Sequence, residues 1–198
     1  MVEYVIWWPE EVPTLIGINN SSRNSSSASI TLRPINPRDA EDVYRTCQDP
    51  LIARFTTLPT DYSLDNAIKF CGPGAIKRHA NRTELVFVIQ SDEVPGTGFA
   101  GVISLHTIDF PNHKASIGYW LAKEARGKGI GTAAAELITE YGLMTMGFRR
   151  IDAVVVVDNE PSKQLLINAG YQLEGILRQY STSKDGTQVD MALFAATK

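Results

Sequence analysis

The chain has 198 residues, of which 43% are hydrophobic and 21% are charged, as in an ordinary globular domain. Its 19 Lys and Arg against 22 Asp and Glu give a formal net charge of −3, which argues against nucleic acid or an anionic membrane as a partner. Neither of its two cysteines, Cys47 and Cys71, lies in a zinc-site spacing or a disulfide framework. We therefore expect reduced thiols, a cytoplasmic location and no metal site.

The first 29 residues differ in composition from the remainder. The apolar stretch 5–8 (VIWW) is short and follows no basic leader, so it does not predict a signal peptide, and no apolar run reaches the roughly 20 residues of a membrane span. Residues 19–29 (NNSSRNSSSAS) are polar and of low complexity, which predicts a flexible stretch. We predict an N-terminal extension over 1–29 and one domain over 30–198. The extension is either a dispensable tail or an arm whose tryptophans dock on the domain or on a second subunit.

The front half of this domain combines short helices with alternating β-rich runs. Asn36 before Pro37 and the hydroxyl of Ser63 are typical helix-start signals. In chain order we predict a strand at 30–33, a helix from Pro37 to about Gln48 and a second helix after Ser63 that buries Ala67, Ile68 and Phe70 and breaks or kinks at 72–74. Strands follow at 84–90, 98–109 and 115–122.

The back half alternates helix and strand. We predict a long helix at 129–146, a strand at 151–157, a helix at 161–168 and a last strand at 188–195. The unbroken apolar run at 153–157 predicts the strand at the centre of the sheet, because a strand buried on both faces lacks polar alternation. These elements together indicate an α/β fold with an antiparallel front half and a strand–helix–strand–helix unit behind it.

A glycine-rich loop precedes the long helix. The residues are Arg126, Gly127, Lys128, Gly129, Ile130, Gly131 and Thr132. Glycines let a ligand approach the backbone, and the first amides of a helix lack internal partners, so this loop is suited to bind a diphosphate, with added positive charge from its two cations. The spacing does not match a P-loop, in which Lys directly precedes Ser or Thr. It does match the letters of a dinucleotide fingerprint, with Asp158 ending the next strand, and the glycines could also form only a tight connection.

The order of strands, loop and helices resembles the GNAT N-acetyltransferases. Their acetyl-CoA signature, Gln/Arg-x-x-Gly-x-Gly/Ala, is matched by Arg126, Gly129 and Gly131. Within that superfamily the chain is most similar to the ribosomal-protein N-terminal acetyltransferases of the RimJ/RimL type, over residues 30–198. The segments that carry this resemblance are 32–34 (LRP), 49–50 (DP), 54–55 (RF), 117–121 (IGYWL), 126–131 (RGKGIG), Asn159 with Ser162, 170–171 (GY), and 174–175 (EG) with Arg178.

The resemblance implies the GNAT acyl-CoA N-acyltransferase fold, a mixed and mostly antiparallel sheet of six to seven strands flanked by helices. It also implies acetyl-CoA as co-substrate, bound by free backbone groups at Leu121 and Ala122, by the loop from Arg126 to Thr132, and by Asn159 and Ser162. A backbone N–H near Tyr119 to Leu121 would polarise the thioester carbonyl. Many relatives place a tyrosine seven residues after Asn159 to protonate the thiolate, but this chain has Leu166 there, which leaves Ser162 or water as the acid.

The general base stays open at this point. The candidates are Glu174, His106, Asp109, Tyr119 and Asp190, acting alone or through water. His106 could equally be a satisfied strand histidine, and Asp190 a structural partner of a backbone turn or an arginine.

The function that we predict is transfer of acetyl from acetyl-CoA to an amine, either a protein N-terminus or a small molecule, by a monomer or homodimer. The alternatives are a non-catalytic acyl-CoA-binding module and an NAD(P)-binding domain.

Overall fold

The fold is built on one eight-stranded sheet, in a computed structural model that describes residues 5–19 and 28–198. The strands follow the order β1-β2-β3-β4-β5-β6-β8-β7, and every neighbouring pair is antiparallel except β5 with β6. The strands are β1 (Leu15–Asn19), β2 (Ala28–Pro34), β3 (Glu84–Ser91), β4 (Phe99–Asp109), β5 (Lys114–Leu121), β6 (Arg150–Val156), β7 (Gln172–Thr182) and β8 (Gln188–Thr197). The mixed, mostly antiparallel sheet is confirmed, but it has eight strands where we predicted six to seven.

Helices cover both faces of this sheet. The α-helices are α1 (Ala40–Cys47), α2 (Pro50–Phe55), α3 (Leu64–Lys69), α4 (Ala75–Ala80), α5 (Ile130–Glu140) and α6 (Glu160–Asn168). Helices α1 to α3 pack on one face against residues such as Val86 and Val88, whereas α5 and α6 pack on the other against residues such as Phe87 and Ile103. Each such side chain, when fully buried, stabilises the fold by about 1.5–3 kcal/mol. No helix within the described ranges is long and apolar enough to span a membrane.

The caps and breaks that the sequence indicates are largely in place. Asn36 caps a 3-10 turn that leads into α1, and Ser63 forms a capping box at α3. The Gly-Pro-Gly segment lies in a π-helical turn, Phe70–Gly74, between α3 and α4. Ile68 is 49% exposed, so the prediction that it points inward is wrong. The predicted long helix ends at Glu140 and continues as a π-helical turn, Tyr141–Met146.

The apolar strand that we predicted at the centre of the sheet, β6, forms but does not lie at the centre. β6 is sixth in the strand order, and its burial alternates, with Val155 buried and Val154 only half-buried. It pairs with β5 over only three residues, so one edge and one face stay partly open. The sequence did not predict β1, β7 or α2 either. β7 is mostly exposed along an edge of the sheet and therefore lacks an apolar pattern.

The N-terminal segment packs against the rest of the chain. β1 pairs with β2 along its whole length, and Trp8 stacks on His79, with ring centroids 5.7 Å apart, and packs edge-on against Phe110. The arm interpretation of this segment therefore describes it better than a tail. Of the stretch predicted to be flexible, Asn19 and residues 28–29 belong to strands, and residues 20–27 lie outside the described part of the chain. The domain boundary at residue 29 stays a prediction.

Candidate active site

The main opening in the sheet lies between β5 and β6. Within the described residues these strands pair only at Lys114, Ala115 and Ser116, and they diverge towards Leu121 and Val156. The helices that begin at this open end are α5, which follows β5, and α6, which follows β6. Two helix N-termini and the free edges of two strands therefore face one gap. Such a gap can hold an extended ligand by backbone hydrogen bonds and an anion at the helix ends.

The three glycines of the loop have different roles. Gly127 and Gly129 have φ angles of +71° and +78°, a left-handed conformation that favours glycine, and Gly129 is the residue before α5. Gly131 is inside the helix, where a Cβ would lie 2.6 Å from Leu165 Cδ1 and 2.7 Å from Leu121 Cδ1. Gly127 and Gly129 therefore shape the loop, and Gly131 lets α5, α6 and β5 pack closely together.

The N-terminus of α5 is suited to an anion. A side chain caps each of α2, α3 and α6, whereas none among the described residues caps α5. Its first amides therefore depend on solvent or a ligand for hydrogen bonds, and the helix dipole favours negative charge there. Ile130 is fully buried and Thr132 is half-buried, which anchors the first turn. A diphosphate fits this cradle of backbone N–H groups.

The two cations of the loop already have partners. Arg126 Nη1 lies 2.7 Å from Asp49 Oδ2, and Arg126 Nη2 donates to the carbonyl of Leu121 at 2.8 Å. Although burial by itself raises the pKa of Asp49, its bonds with the Leu51 N–H and with Arg126 lower that pKa below its usual value. Lys128 Nζ donates to the carbonyl of Glu93 at 3.0 Å. Arg126 therefore ties the start of α2 to the end of β5, and its charge is balanced locally.

The backbone at the end of β5 is also engaged. The Ala122 N–H donates to the Ala100 carbonyl at 2.9 Å, and the Leu121 carbonyl accepts from Arg126. These two atoms have partners within the protein, so binding at Leu121 and Ala122 would use their other backbone groups, and this role stays a prediction. The stretch 117–120, where β5 has left β6, also offers a backbone edge for an extended ligand.

A hydroxyl pair lies at the open end of the gap. Tyr119 Oη on β5 is 2.7 Å from Ser162 Oγ on α6. Asn159 caps α6, since its Oδ1 accepts from the Ser162 N–H at 3.4 Å. Burial raises the pKa of Tyr119 to about 12, so this phenol stays protonated at neutral pH. The structure thus brings all three predicted catalytic residues together. Leu166, at the position where many relatives have a tyrosine, is buried in the core, and the phenol next to Ser162 belongs to Tyr119 instead.

Glu174 and Asp109 lie far from this hydroxyl pair. Glu174 forms a bidentate ion pair with Arg150, which begins β6, and the bond with Arg150 lowers the pKa of Glu174. Because Arg150 begins β6 and Asn159 follows the other end of that strand, the ion pair holds the Glu174 carboxylate away from Asn159. Asp109 sits at the same far end, in the β4–β5 hairpin next to Lys114. The positions of Glu174 and Asp109 therefore argue against either of them as the base.

His106 and Asp190 both have structural partners. His106 Nδ1 lies 2.8 Å from Thr107 Oγ1, the ring also bonds the Ile117 backbone, and burial lowers its pKa, as in a satisfied neutral histidine. Asp190 accepts the Gln179 N–H at 2.7 Å, which makes it the partner of a backbone turn. Its own carbonyl accepts from the Val157 N–H, which places Asp190 near the open end of the gap.

Three partners of the loop were not anticipated from the sequence. Asn19, Asp49 and Glu93 contact Lys128 or Arg126, and each comes from a different part of the chain. The 49–50 (DP) segment was noted only as part of the family resemblance, and nothing local pairs it with Arg126. Elsewhere in the described chain, no three His, Cys, Asp or Glu side chains cluster in a way that could hold a metal ion.

Comparison with known proteins agrees with this geometry. The Acetyltransferase (GNAT) domain family matches residues 29–172. The chain is 32% identical to the uncharacterized N-acetyltransferase p20 of Bacillus licheniformis, over 85% of this chain and 93% of that protein. It is 31% identical to the ribosomal-protein-serine acetyltransferase of Escherichia coli, over 57% of this chain and 59% of that protein.

The solved structures agree as well. RimJ of Mycobacterium smegmatis in complex with CoA-disulfide superposes with a TM-score of 0.79 and 25% identity, covering 94% of this chain and 88% of that one. The matches include enzymes of the RimJ and RimL type in both sequence and structure, as the sequence predicts. They do not support the non-catalytic module or the NAD(P)-binding domain. The protein is an N-acetyltransferase, and the chain belongs to the GNAT acetyltransferase family.

Proposed function

We propose that this protein transfers the acetyl group of acetyl-CoA to a primary amine by direct attack within a ternary complex. The observation that carries the proposal is the gap between β5 and β6, with the uncapped α5 N-terminus and the Tyr119–Ser162 pair at its open end. Bound there, the co-substrate supplies an activated acetyl thioester. A primary amine is either a protein N-terminus or a small molecule.

The chain's own groups account for binding of a CoA molecule. The amides of Gly129, Ile130 and Gly131 and the dipole of α5 bind the diphosphate, and Lys128 adds positive charge to the loop. Arg126 acts indirectly, because its bonds to Asp49 and Leu121 hold the loop in place. The backbone of β5 at 117–120 pairs with the pantetheine amides, since β6 has moved away from it. The role of Thr132 is to complete the first turn of the helix.

The hydroxyl pair manages the proton at the leaving sulfur. As the amine forms its bond to the acetyl carbon, the C–S bond breaks and the thiolate needs a proton. Ser162 Oγ donates this proton and regains one from Tyr119 Oη, and water returns a proton to Tyr119 before the next turnover. The phenol enters the step protonated because burial raises its pKa to about 12. Asn159 positions Ser162 by capping α6. A backbone N–H near Tyr119 polarises the acetyl carbonyl.

The acceptor enters as the neutral amine. An α-amino group has a pKa near 8 and so is partly neutral at pH 7, whereas a lysine side chain with a pKa near 10.4 is almost fully charged. An N-terminal acceptor can therefore be deprotonated by a weaker general base than a lysine acceptor requires. Of the carboxylates that we considered, Asp190 has its backbone bonded to Val157 at the end of β6, but its carboxylate accepts from Gln179 on β7, so we assign the amine proton to water. The E. coli relative named as a ribosomal-protein-serine acetyltransferase supports a protein as one acceptor class. The cytoplasmic location and a monomeric or homodimeric state stay predictions.

The test is release of free thiol from acetyl-CoA with a panel of amines. The panel contains peptides with a free N-terminus, the same peptides with a blocked N-terminus and free lysine, and a polyamine. We expect turnover with at least one acceptor, and mass spectrometry locates the acetyl group. Acetyl-CoA binding without turnover on any amine would contradict the proposal.

A further inference from the structure

Asn19 is a buried polar residue at the end of β1, outside the part of the chain that matches the GNAT family. Its side chain is fully buried although β1 is an edge strand, and the family match begins at residue 29. Buried amides need hydrogen-bond partners. The partners of Asn19 lie in the glycine loop and in the turn between β3 and β4. This places the N-terminal strand in direct contact with the loop assigned above to the diphosphate.

Three hydrogen bonds link Asn19, Lys128 and Glu93. Asn19 Nδ2 donates to the Lys128 carbonyl at 2.8 Å and to Glu93 Oε2 at 3.1 Å, while Lys128 Nζ donates to the Glu93 carbonyl at 3.0 Å. Lys128 is thus held at both its backbone and its side chain. The flanking glycines at 127 and 129 are in the left-handed conformation and would otherwise leave this peptide free to rotate.

The geometry of the peptide bond links this contact to the ligand site. In a trans peptide the C=O of one residue and the N–H of the next point in opposite directions. When Asn19 holds the Lys128 carbonyl towards β1, the Gly129 N–H must point away from β1. Gly129 immediately precedes α5, so its N–H joins the amides at the uncapped helix N-terminus.

We propose that Asn19 is a positioning residue of the diphosphate site: it fixes the Lys128–Gly129 peptide so that the Gly129 N–H faces the ligand. This inference rests on the proposed function of the loop. It makes the N-terminal strand part of the co-substrate site, although we assign no direct contact between the strand and the ligand. Without Asn19 the peptide can rotate, and the ligand must then fix it on binding.

The test compares two co-substrates that differ in the diphosphate. Acetyl-CoA carries it, whereas acetyl-pantetheine lacks the diphosphate together with the adenosine 3′-phosphate attached to it. In Asn19→Ala we expect the Kd of CoA to rise and kcat/KM for acetyl-CoA to fall, each by about tenfold, which corresponds to one lost hydrogen bond. We expect kcat/KM for acetyl-pantetheine to stay unchanged. Ile18→Ala, at the neighbouring position in β1, is the matched control, because Ile18 is 61% exposed and should leave both co-substrates unaffected.

Equal losses with both co-substrates, or no loss with either, would overturn the inference. Thermal unfolding of each variant checks folding, and Asn19→Ser takes the place of the alanine variant if that one does not fold. Failure of both variants to fold would also overturn it, because Asn19 would then be a residue of the sheet alone. A wild-type protein that does not bind CoA would refute the proposed function, whereas equal CoA binding by wild type and Asn19→Ala refutes only the role of Asn19.

Discussion

Replacing Tyr119 with phenylalanine removes a single oxygen atom, the one that lies 2.7 Å from Ser162 Oγ. A buried hydrogen bond of this kind contributes about 0.5–1.5 kcal/mol, so if Tyr119 acts through Ser162, kcat falls by about two- to tenfold. The Kd of CoA should stay within about twofold, because neither hydroxyl contacts the diphosphate loop. Ser162→Ala removes the donor itself and should lower kcat by about a hundredfold or more.

The assay is a double-mutant cycle on kcat, measured as thiol release with a saturating acceptor. If Tyr119 works through Ser162, the double variant has nearly the kcat of Ser162→Ala, and the two effects do not add. Additive losses would refute the relay, and so would an unchanged kcat in Tyr119→Phe. Equal effects of Ser162→Ala on kcat and on the Kd of CoA would instead make Ser162 a binding residue.

The pH dependence provides a second check on the same residue. Burial raises the pKa of Tyr119 from 10 in the unfolded chain to about 12 in the folded protein. The folded state therefore keeps a proton that the unfolded state loses, so this group's contribution to stability is present below pH 10 and is lost as the pH rises towards 12. Tyr119→Phe should remove this part of the alkaline decline in the free energy of unfolding. An unchanged decline would contradict the burial argument.

Three further tests concern the loop and the N-terminal arm. Gly129→Asp puts a negative charge beside the diphosphate and should raise the Kd of CoA severely. Gly129→Asn is the control, because asparagine tolerates the same left-handed conformation without the charge and should raise the Kd much less. Equal effects of the two variants would point to backbone strain alone. Gly131→Ala places a methyl group within 2.7 Å of the ends of two leucine side chains, which must move. Because alanine also favours the helix by about 1 kcal/mol, the net loss of stability should be at most about 1–2 kcal/mol, measured by urea unfolding, and a gain in stability would contradict the packing role. Trp8→Ala should lower the free energy of unfolding by about 3 kcal/mol, because the ring packs on His79 and Phe110. Trp7→Ala, at a side chain that is 51% exposed, should lower it by less than about 0.5 kcal/mol. Similar losses in the two variants would argue against docking of the arm.

Local signals in the sequence were sufficient for much of the fold. Apolar patterning indicated β3, β4 and β5, and the cap residues Asn36 and Ser63 marked two helix starts that the structure confirms. β7 was missed because exposed edge strands carry no apolar alternation. The run at 153–157 led to the wrong prediction of a central strand, because its residues are apolar on both faces although β6 lies beside an opening. In that position an apolar side chain is half-covered, which sequence patterning cannot distinguish from full burial.

The candidate site was predictable where the chemistry is local. The glycine loop, Ser162 and Asn159 are contiguous with helix starts, so their positions follow from sequence spacing. The contact between Tyr119 and Ser162 joins β5 to α6, and no local signal pairs them. The same holds for Asp49 with Arg126, because only the folded chain shows which of the many carboxylates meets that arginine.

The three residue pairs between β5 and β6 also have a mechanical consequence. They are the only ladder contacts of the described chain that join the five-stranded part of the sheet, β1 to β5, to the three-stranded part, β6 with β8 and β7. A ladder this short can act as a hinge, because few hydrogen bonds resist a change in the angle between the two parts. An extended ligand that bonds to β5 would act as a missing strand and brace them. Amide exchange in β6 should therefore slow when CoA binds, even at residues that the ligand does not touch.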